Sequence, residues 1–437
     1  VRRVAVDSPA FEEALKALAA RGGTGDPQVD EAVAGIVARV RDEGDGAVLA
    51  YTERFDRVTL TPDTMRFTAD EVRAAYGRTD PKVTEALKYA AERIRAFHER
   101  QVRTGYRYAD GDGISLGQVI RPLAAVGIYV PGGKAAYPST VLMNAVPAKV
   151  AGVPRVVMVT PTPGGEVDPS LLVAADLAGV DEVFRIGGAQ AVAALAFGTA
   201  TVPRVDTIVG PGNVYVATAK RQVFGQVDID MIAGPSEILV IADETAHPEF
   251  VAADLLSQAE HDELASAILV TPSAALVDRV TEAVERQLDA LSRGAIARQS
   301  VASYGYAFVT RDLAQAAEVA NRVAPEHLEL AVADPEALLP AIRNAGAVFL
   351  GHYTPEAIGD YVAGPDHVLP TGGTARFSSP LNVDDFVKKM SVVAYSREAF
   401  ARVAETCVTL SDAEGLTAHS RSVRLRLETP PEASPPG

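Results

Sequence analysis

From Ala125 onward the apolar positions change period. Short β-branched runs at 126–130, 156–160, 183–186, 207–209 and 238–241 alternate with segments whose apolar residues recur every three to four positions, at 139–150, 169–178, 190–197 and 213–224. The short runs read as buried strands and the longer amphipathic segments as helices, so this stretch predicts a parallel sheet covered by helices. A second series follows, with strands at 238–241, 268–271, 307–310, 328–332 and 347–350 and helices at 248–261, 274–291, 313–323 and 337–344. Ligands of such paired units are expected in the crevice at the carboxyl ends of the strands.

The flanks follow other patterns. Residues 1–25 hold one helical pattern, Phe11 to Ala19, and end in Arg-Gly-Gly-Thr-Gly, an N-terminal helical arm with a flexible joint. Two amphipathic stretches, 30–52 and 70–104, read as helices. Residues 351–382 are rich in Gly, Pro and Thr, and such a long irregular stretch inside a compact protein points to function. A helix is predicted over 397–407, and Ser411-Asp-Ala-Glu414 has the spacing of a capping box that opens another. The Pro-rich end, 429–437, is expected to be disordered.

Composition narrows the function. The chain has 437 residues, more than one core usually serves, and a formal charge of −16 that argues against a nucleic-acid partner. Cys407 is the single cysteine, which excludes an intrachain disulfide and Cys-rich zinc or iron–sulfur sites within one chain. Any metal must then use imidazole, carboxylate or amide ligands. With no apolar run of about 20 residues and no signal peptide at the start, a cytoplasmic protein without membrane contact is expected. Cys407 itself reads as a buried small hydrophobe on a helix.

Several phrases could carry chemistry. Gln258 and His261 stand three apart at the end of a helical pattern, on one face, where an amide oxygen and an imidazole can reach one cation. Pro325-Glu326-His327 pairs a carboxylate with an imidazole at a helix-to-strand junction, a candidate acid/base pair, although neighbours on a strand point to opposite sides. Asp360 adds a carboxylate in the irregular stretch and His419 an imidazole on the last helix; His367 reads as an outer neighbour, and His98, His247 and His352 as structural. Gly-rich phrases ending at Gly133, Gln190, Asn213 and Glu237 close strand-to-helix junctions, where backbone can approach an anionic ligand. No strand is followed by Gly-x-Gly-x-x-Gly, so the dinucleotide fingerprint is incomplete. Each phrase alone is also what an ordinary turn or surface pair looks like. Together they offer a mixed-ligand zinc site, a base and phosphate-compatible turns.

The phrases 129–144, 208–216, 233–237, 256–262, 324–329 and 359–371, in this order and spacing, resemble the histidinol dehydrogenase family, and the resemblance runs from Val40 to His419. It implies an α/β fold of two tandem, incomplete Rossmann-like domains with parallel sheets, plus the N-terminal helical arm (1–25) and a helical C-terminal tail. One domain, discontinuous over 26–124 and 238–380, would carry metal and catalytic residues. The other, 125–237, would bind NAD, and 381–437 would reach a partner subunit. The resemblance further implies Zn²⁺ on Gln258, His261, Asp360 and His419, and NAD contacts from Tyr129, Gln190 and Asn213. Substrate would be met by Ser236, Gln258, His261, His327, Asp360, Glu414 and His419. His327 would act as base for the alcohol and Glu326 would activate water, giving L-histidine from L-histidinol through bound L-histidinal with two NAD⁺. Glu414 and His419 would serve the other chain of a homodimer. Asp366 stands where the family more often has Asn; the added carboxylate either alters pH dependence or is a harmless surface change, and the harmless reading is favoured. A relative acting on another amino- or polyol substrate, a zinc hydrolase using Glu326, and a non-catalytic nucleotide-binding protein are the competing readings.

Overall fold

The structure is a computed structural model that describes residues 1–21, 26–132 and 137–428. The joint at 22–25, Gly133 of the first Gly-rich turn and the Pro-rich end at 429–437 lie outside the described residues.

Fourteen strands form among the described residues: β1 Arg2–Ala5, β2 Tyr106–Ala109, β3 Ile114–Pro122, β4 Ala125–Tyr129, β5 Arg155–Val159, β6 Glu182–Phe184, β7 Thr207–Val209, β8 Asp228–Ile229, β9 Glu237–Ala242, β10 Ser266–Thr271, β11 Gly305–Val309, β12 His327–Ala331, β13 Ala347–Leu350 and β14 Val387–Tyr395. They make three sheets. A six-stranded sheet runs β1-β11-β10-β9-β12-β13 and a five-stranded one β6-β5-β4-β7-β8, every neighbour parallel. The third, β14-β3-β2, is antiparallel.

Both parallel sheets are covered on two faces, which is why their strands are apolar at successive positions rather than alternate ones. On β9, Ile238 and Val240 enter one core with helices 248–259, 274–288 and 294–304, while Leu239 and Ile241 enter another with helices 9–19 and 313–323. On β4, Val126 and Ile128 face helices 81–98, 138–150 and 169–178; Ala125 and Tyr129 face helices 27–43, 188–197 and 214–223.

The chain forms two compact units. The first comprises 1–102 and 123–386, with both parallel sheets; the second comprises 103–122 and 387–437, with the antiparallel sheet and helices Arg397–Ala413 and Thr417–Glu428. Among the described residues no helix is long and apolar enough to cross a membrane.

The α/β architecture with two parallel sheets and a helical C-terminal end agrees with expectation; several details differ. The arm is not wholly helical, because Arg2–Ala5 adds an edge strand beside β11. The 30–52 stretch is two helices, broken at Gly44, whose φ of 59° no ordinary helix residue adopts. These helices and 81–98 pack on the five-stranded sheet, not on the sheet with which 26–124 was grouped. Residues 337–344 hold only the end of a short helix, Pro335–Leu338, and one 3-10 turn. Ser411 opens no helix: it lies inside 397–413 with its hydroxyl donating to Cys407 O at 2.8 Å, and the helix stops at Gly415, φ 71°. Cys407, expected to be buried, is exposed.

Candidate active site

The helix that carries Gln258 ends at Ala259, so His261 lies in the turn beyond it and not on its face as expected. One local bond keeps the two residues together: His261 N donates to Gln258 O at 3.1 Å. The His261 Nδ1 lies 3.4 Å from Ser236 Oγ, across at the start of β9. Gln258 is fully buried; its Nε2 stands 2.5 Å from Glu356 Oε2 and 2.9 Å from His327 Nδ1, and its Oε1 has no partner. A buried amide oxygen without a donor is costly unless something else takes its lone pairs.

His327 opens β12, and Glu326 just precedes the strand. Ala324 before them is left-handed, φ 52°, and ends helix 313–323 abruptly. That turn lets neighbours reach one site where a regular strand would separate them: Glu326 Oε2 lies 3.7 Å from His327 Nδ1. The Glu326 carboxylate accepts from Glu237 N at 2.9 Å. Burial pushes its pKa up to about 8, against the pull of His327. Burial alone would lower His327, but the carboxylates of Glu326, Asp360 and Glu356 prevail and raise it to about 10. Asp360 sits in a π-type turn, Gly359–Ala363, with Oδ1 3.3 Å from His327 Nε2. Burial would raise Asp360, yet its bond and attraction to His327 hold it below the ordinary carboxylate range. His367 touches the same turn, its Nδ1 2.9 Å from Asp360 O.

The partners of its two ring nitrogens bear on the protonation of His327. The Glu237 carbonyl, 3.1 Å from Nδ1, can only accept and favours a proton on Nδ1, and the Asp360 carboxylate, 3.3 Å from Nε2, favours one there as well. Gln258 Nε2, 2.9 Å from the same Nδ1, can donate only when that nitrogen is unprotonated. A ring held among these acceptors is stabilised in its protonated form and can hold a proton and pass it on at Nε2.

These groups gather at the amino ends of β9 and β12, not at the carboxyl ends that strand topology suggested. The carboxyl-end rule is obeyed by the other sheet: Tyr129 ends β4, Gln190 follows β6 and Asn213 follows β7. A cavity of about 990 Å³ is lined by Tyr129, Gln190 and Asn213 and also by His261. Its turns are tight. Gly210 has φ 106°, and a Cβ there would stand 2.2 Å from Tyr129 O. Tyr129 Oη accepts from Gly188 N at 3.0 Å, and burial raises the phenol to about 12. Gln190 Oε1 is buried without a partner, while Asn213 Oδ1 caps helix 214–223 through Tyr215 N and Val216 N.

Among the described residues no group of three or more His, Cys, Asp or Glu side chains is arranged to hold a metal ion. The first unit offers a mixed set instead. The partnerless Gln258 Oε1, the His261 imidazole and the Asp360 carboxylate suit zinc in their chemistry, and the three carboxylates around His327 favour a cation nearby. Glu414 and His419 belong to the second unit, where both are exposed, Glu414 at the end of helix 397–413 and His419 on helix 417–428.

Comparison with known proteins agrees with these observations. The family model described as histidinol dehydrogenase matches residues 19–427. A histidinol dehydrogenase of Syntrophotalea carbinolica is 60% identical over 428 residues, 98% of this chain and 99% of that protein. One from Geobacter sulfurreducens is 57% identical over 419 residues, 96% and 98% of the two. The crystal structure of histidinol dehydrogenase from Elizabethkingia anophelis superposes with a TM-score of 0.91 at 36% identity, covering 98% of each chain. The chain belongs to the histidinol dehydrogenase family. It is thereby an oxidoreductase.

Within this histidinol dehydrogenase fold, some participants were missed from sequence. Glu356 and Glu237 are buried carboxylates that touch Gln258 and Glu326, and Arg21 reaches Glu237 with Nη2–Oε1 at 2.5 Å. Their only local signal is a charged residue beside an apolar run; their partners are remote in sequence. Asp366 is no surface change. It is buried, Oδ1 accepts from Val368 N at 2.8 Å, and Oδ2 lies 3.8 Å from the equally buried His98 Nε2.

Proposed function

We propose that the protein oxidises L-histidinol to L-histidine through bound L-histidinal, consuming two NAD⁺, in histidine biosynthesis in the cytoplasm. The observation that carries this is the buried Glu326–His327 pair, set beside the partnerless Gln258 oxygen in the unit whose cavity is lined by both His261 and Tyr129. Zn²⁺ would be held by Gln258, His261 and Asp360, with His419 from a neighbouring copy of the chain. Bound there, zinc supplies fixed positive charge that orients the substrate's nitrogens and offsets the carboxylates around His327.

His327 Nε2 takes the hydroxyl proton while hydride passes from the carbinol carbon to NAD⁺, leaving the aldehyde. Glu326 then removes a proton from water as its oxygen bonds the aldehyde carbon, and His327 returns its proton to the aldehyde oxygen as the carbonyl π bond breaks, giving the hydrate. His327 takes the proton of the resulting hydrate as the second hydride leaves to a second NAD⁺, and the carboxylate product forms. An imidazole suits the alcohol and a carboxylate suits the water. Ser236 and Glu414 would bind the substrate's polar groups, and Tyr129, Gln190 and Asn213 would contact NAD. The working form is a homodimer in which Glu414 and His419 serve the other copy's site.

The test is the NADH formed per L-histidinol consumed, before and after metal removal. Two NADH per alcohol, abolished by a chelator and restored by Zn²⁺, is the expected result. One NADH with free aldehyde would overturn the second half-reaction, and no NADH would overturn the dehydrogenase reading.

A further inference from the structure

We propose that Glu356 is the positioning residue that decides which end of the Gln258 side chain is offered to the metal. The inference rests on the reading above, in which Gln258 is a zinc ligand. An amide has one end that ligates and one that cannot: the oxygen carries available lone pairs, whereas the NH₂ group only donates. The two ends are nearly the same size, so packing alone does not distinguish them. A charged neighbour does.

Glu356 is that neighbour. Its Oε2 lies 2.5 Å from Gln258 Nε2, and its Oε1 lies 2.6 Å from Ser257 Oγ. Its own backbone N donates to Glu329 Oε1 at 2.8 Å, and the residue is 2% exposed, so the carboxylate is fixed in place. As an acceptor it selects the NH₂ end of the amide. Oε1 is thereby left without a protein partner, and buried. Remove Glu356 and the remaining neighbour favours the reverse: a proton on His327 Nδ1, 2.9 Å away, attracts the amide oxygen and would leave NH₂ facing the metal. Groups that orient a metal ligand in this way typically change affinity 10- to 100-fold when lost, an order-of-magnitude expectation.

The experiment measures Zn²⁺ affinity of the full-length, metal-stripped protein by competition with a chromophoric chelator, without substrate. Glu356→Leu should bind Zn²⁺ about 10- to 100-fold more weakly than the unaltered chain. Adding Gln258→Glu to Glu356→Leu should recover most of that loss, because a carboxylate offers oxygen whichever way it turns. A merely structural role for Glu356 predicts no such recovery. Glu356→Leu binding as tightly as the unaltered protein overturns the inference, as does a folded double variant that stays as weak as the single one. If Glu356→Leu does not fold by circular dichroism, Glu356→Met takes its place with the same two readings. An unaltered chain that takes up no Zn²⁺ overturns the metal reading and this inference together, a result distinct from either of the others.

Discussion

Glu237 and Glu326 hold each other through reciprocal hydrogen bonds: Glu237 N donates to Glu326 Oε2 at 2.9 Å, and Glu326 N donates to Glu237 Oε2 at 3.3 Å. The carbonyl of the same Glu237 faces His327 Nδ1. One residue at the head of β9 thus touches both members of the pair at the head of β12. Its remaining carboxylate oxygen takes Arg21 and Gly372 N. Arg21→Met should strand a buried carboxylate and cost about 3–5 kcal/mol of stability, the usual cost of breaking a buried pair from one side. Joining Glu237→Gln to it should return part of that loss. Urea unfolding of the single and double variants measures both.

The division of labour between neighbours predicts a split phenotype for Glu326→Gln. Oxidation of supplied L-histidinal should fall about 100-fold or more, the contribution expected of a general base. Conversion of L-histidinol to the aldehyde should fall far less. Single-turnover NADH formation from each substrate gives the comparison; equal losses would count against separate roles.

Asp366 predicts a pH signature in stability. Burial raises its carboxyl well above the ordinary value, and Asp385 and Asp230 push the same way. The folded chain therefore keeps a proton that the unfolded chain releases, so stability declines as pH rises above about 4 toward the folded value. His98, which faces it, is lowered by burial and destabilises on the acid side, being lost as pH falls below about 6.5. Asp366→Asn removes the first effect only. Its melting temperature should exceed that of the unaltered chain by a margin that widens as pH rises above about 4, by about 4 °C or less per kcal/mol gained in a chain of this size. A constant margin would refute this account.

The proposed exchange of Glu414 and His419 between copies predicts complementation. His327→Asn and His419→Asn should each be inactive as pure proteins. After mixing and subunit exchange, part of the activity should return, because one site in the mixed dimer has neither substitution. Exchange verified by mass without recovered activity would show that each site is built within one copy.

What sequence conveyed and what it did not follows from the range of the interactions. Parallel strands buried on both faces announce themselves in apolar runs, so β4, β5, β9 and β10 were legible within a residue or two. Gln258 and His261 were recognisable as neighbours, yet helix periodicity extended the helix past Ala259. A proline or glycine marks an end in sequence, whereas here the stop has neither. The antiparallel sheet went unseen because β3 and β14 are partly exposed and take their meaning from each other, not from local pattern. Glu237 and Glu356 were missed for the same reason. A buried carboxylate reads as a surface residue until its partners, far along the chain, are known.

Strand β3, at 114–122, finds its longest partner in β14, at 387–395. A ribosome releases these two segments far apart in time. During that interval β3 has only the short β2 to pair with, and a two-stranded hairpin is marginal in water. Closing so long a loop is also slow. The second unit is therefore the last part of the molecule to be completed, and premature termination before 387 would cost the chain its antiparallel sheet however well the parallel ones had formed.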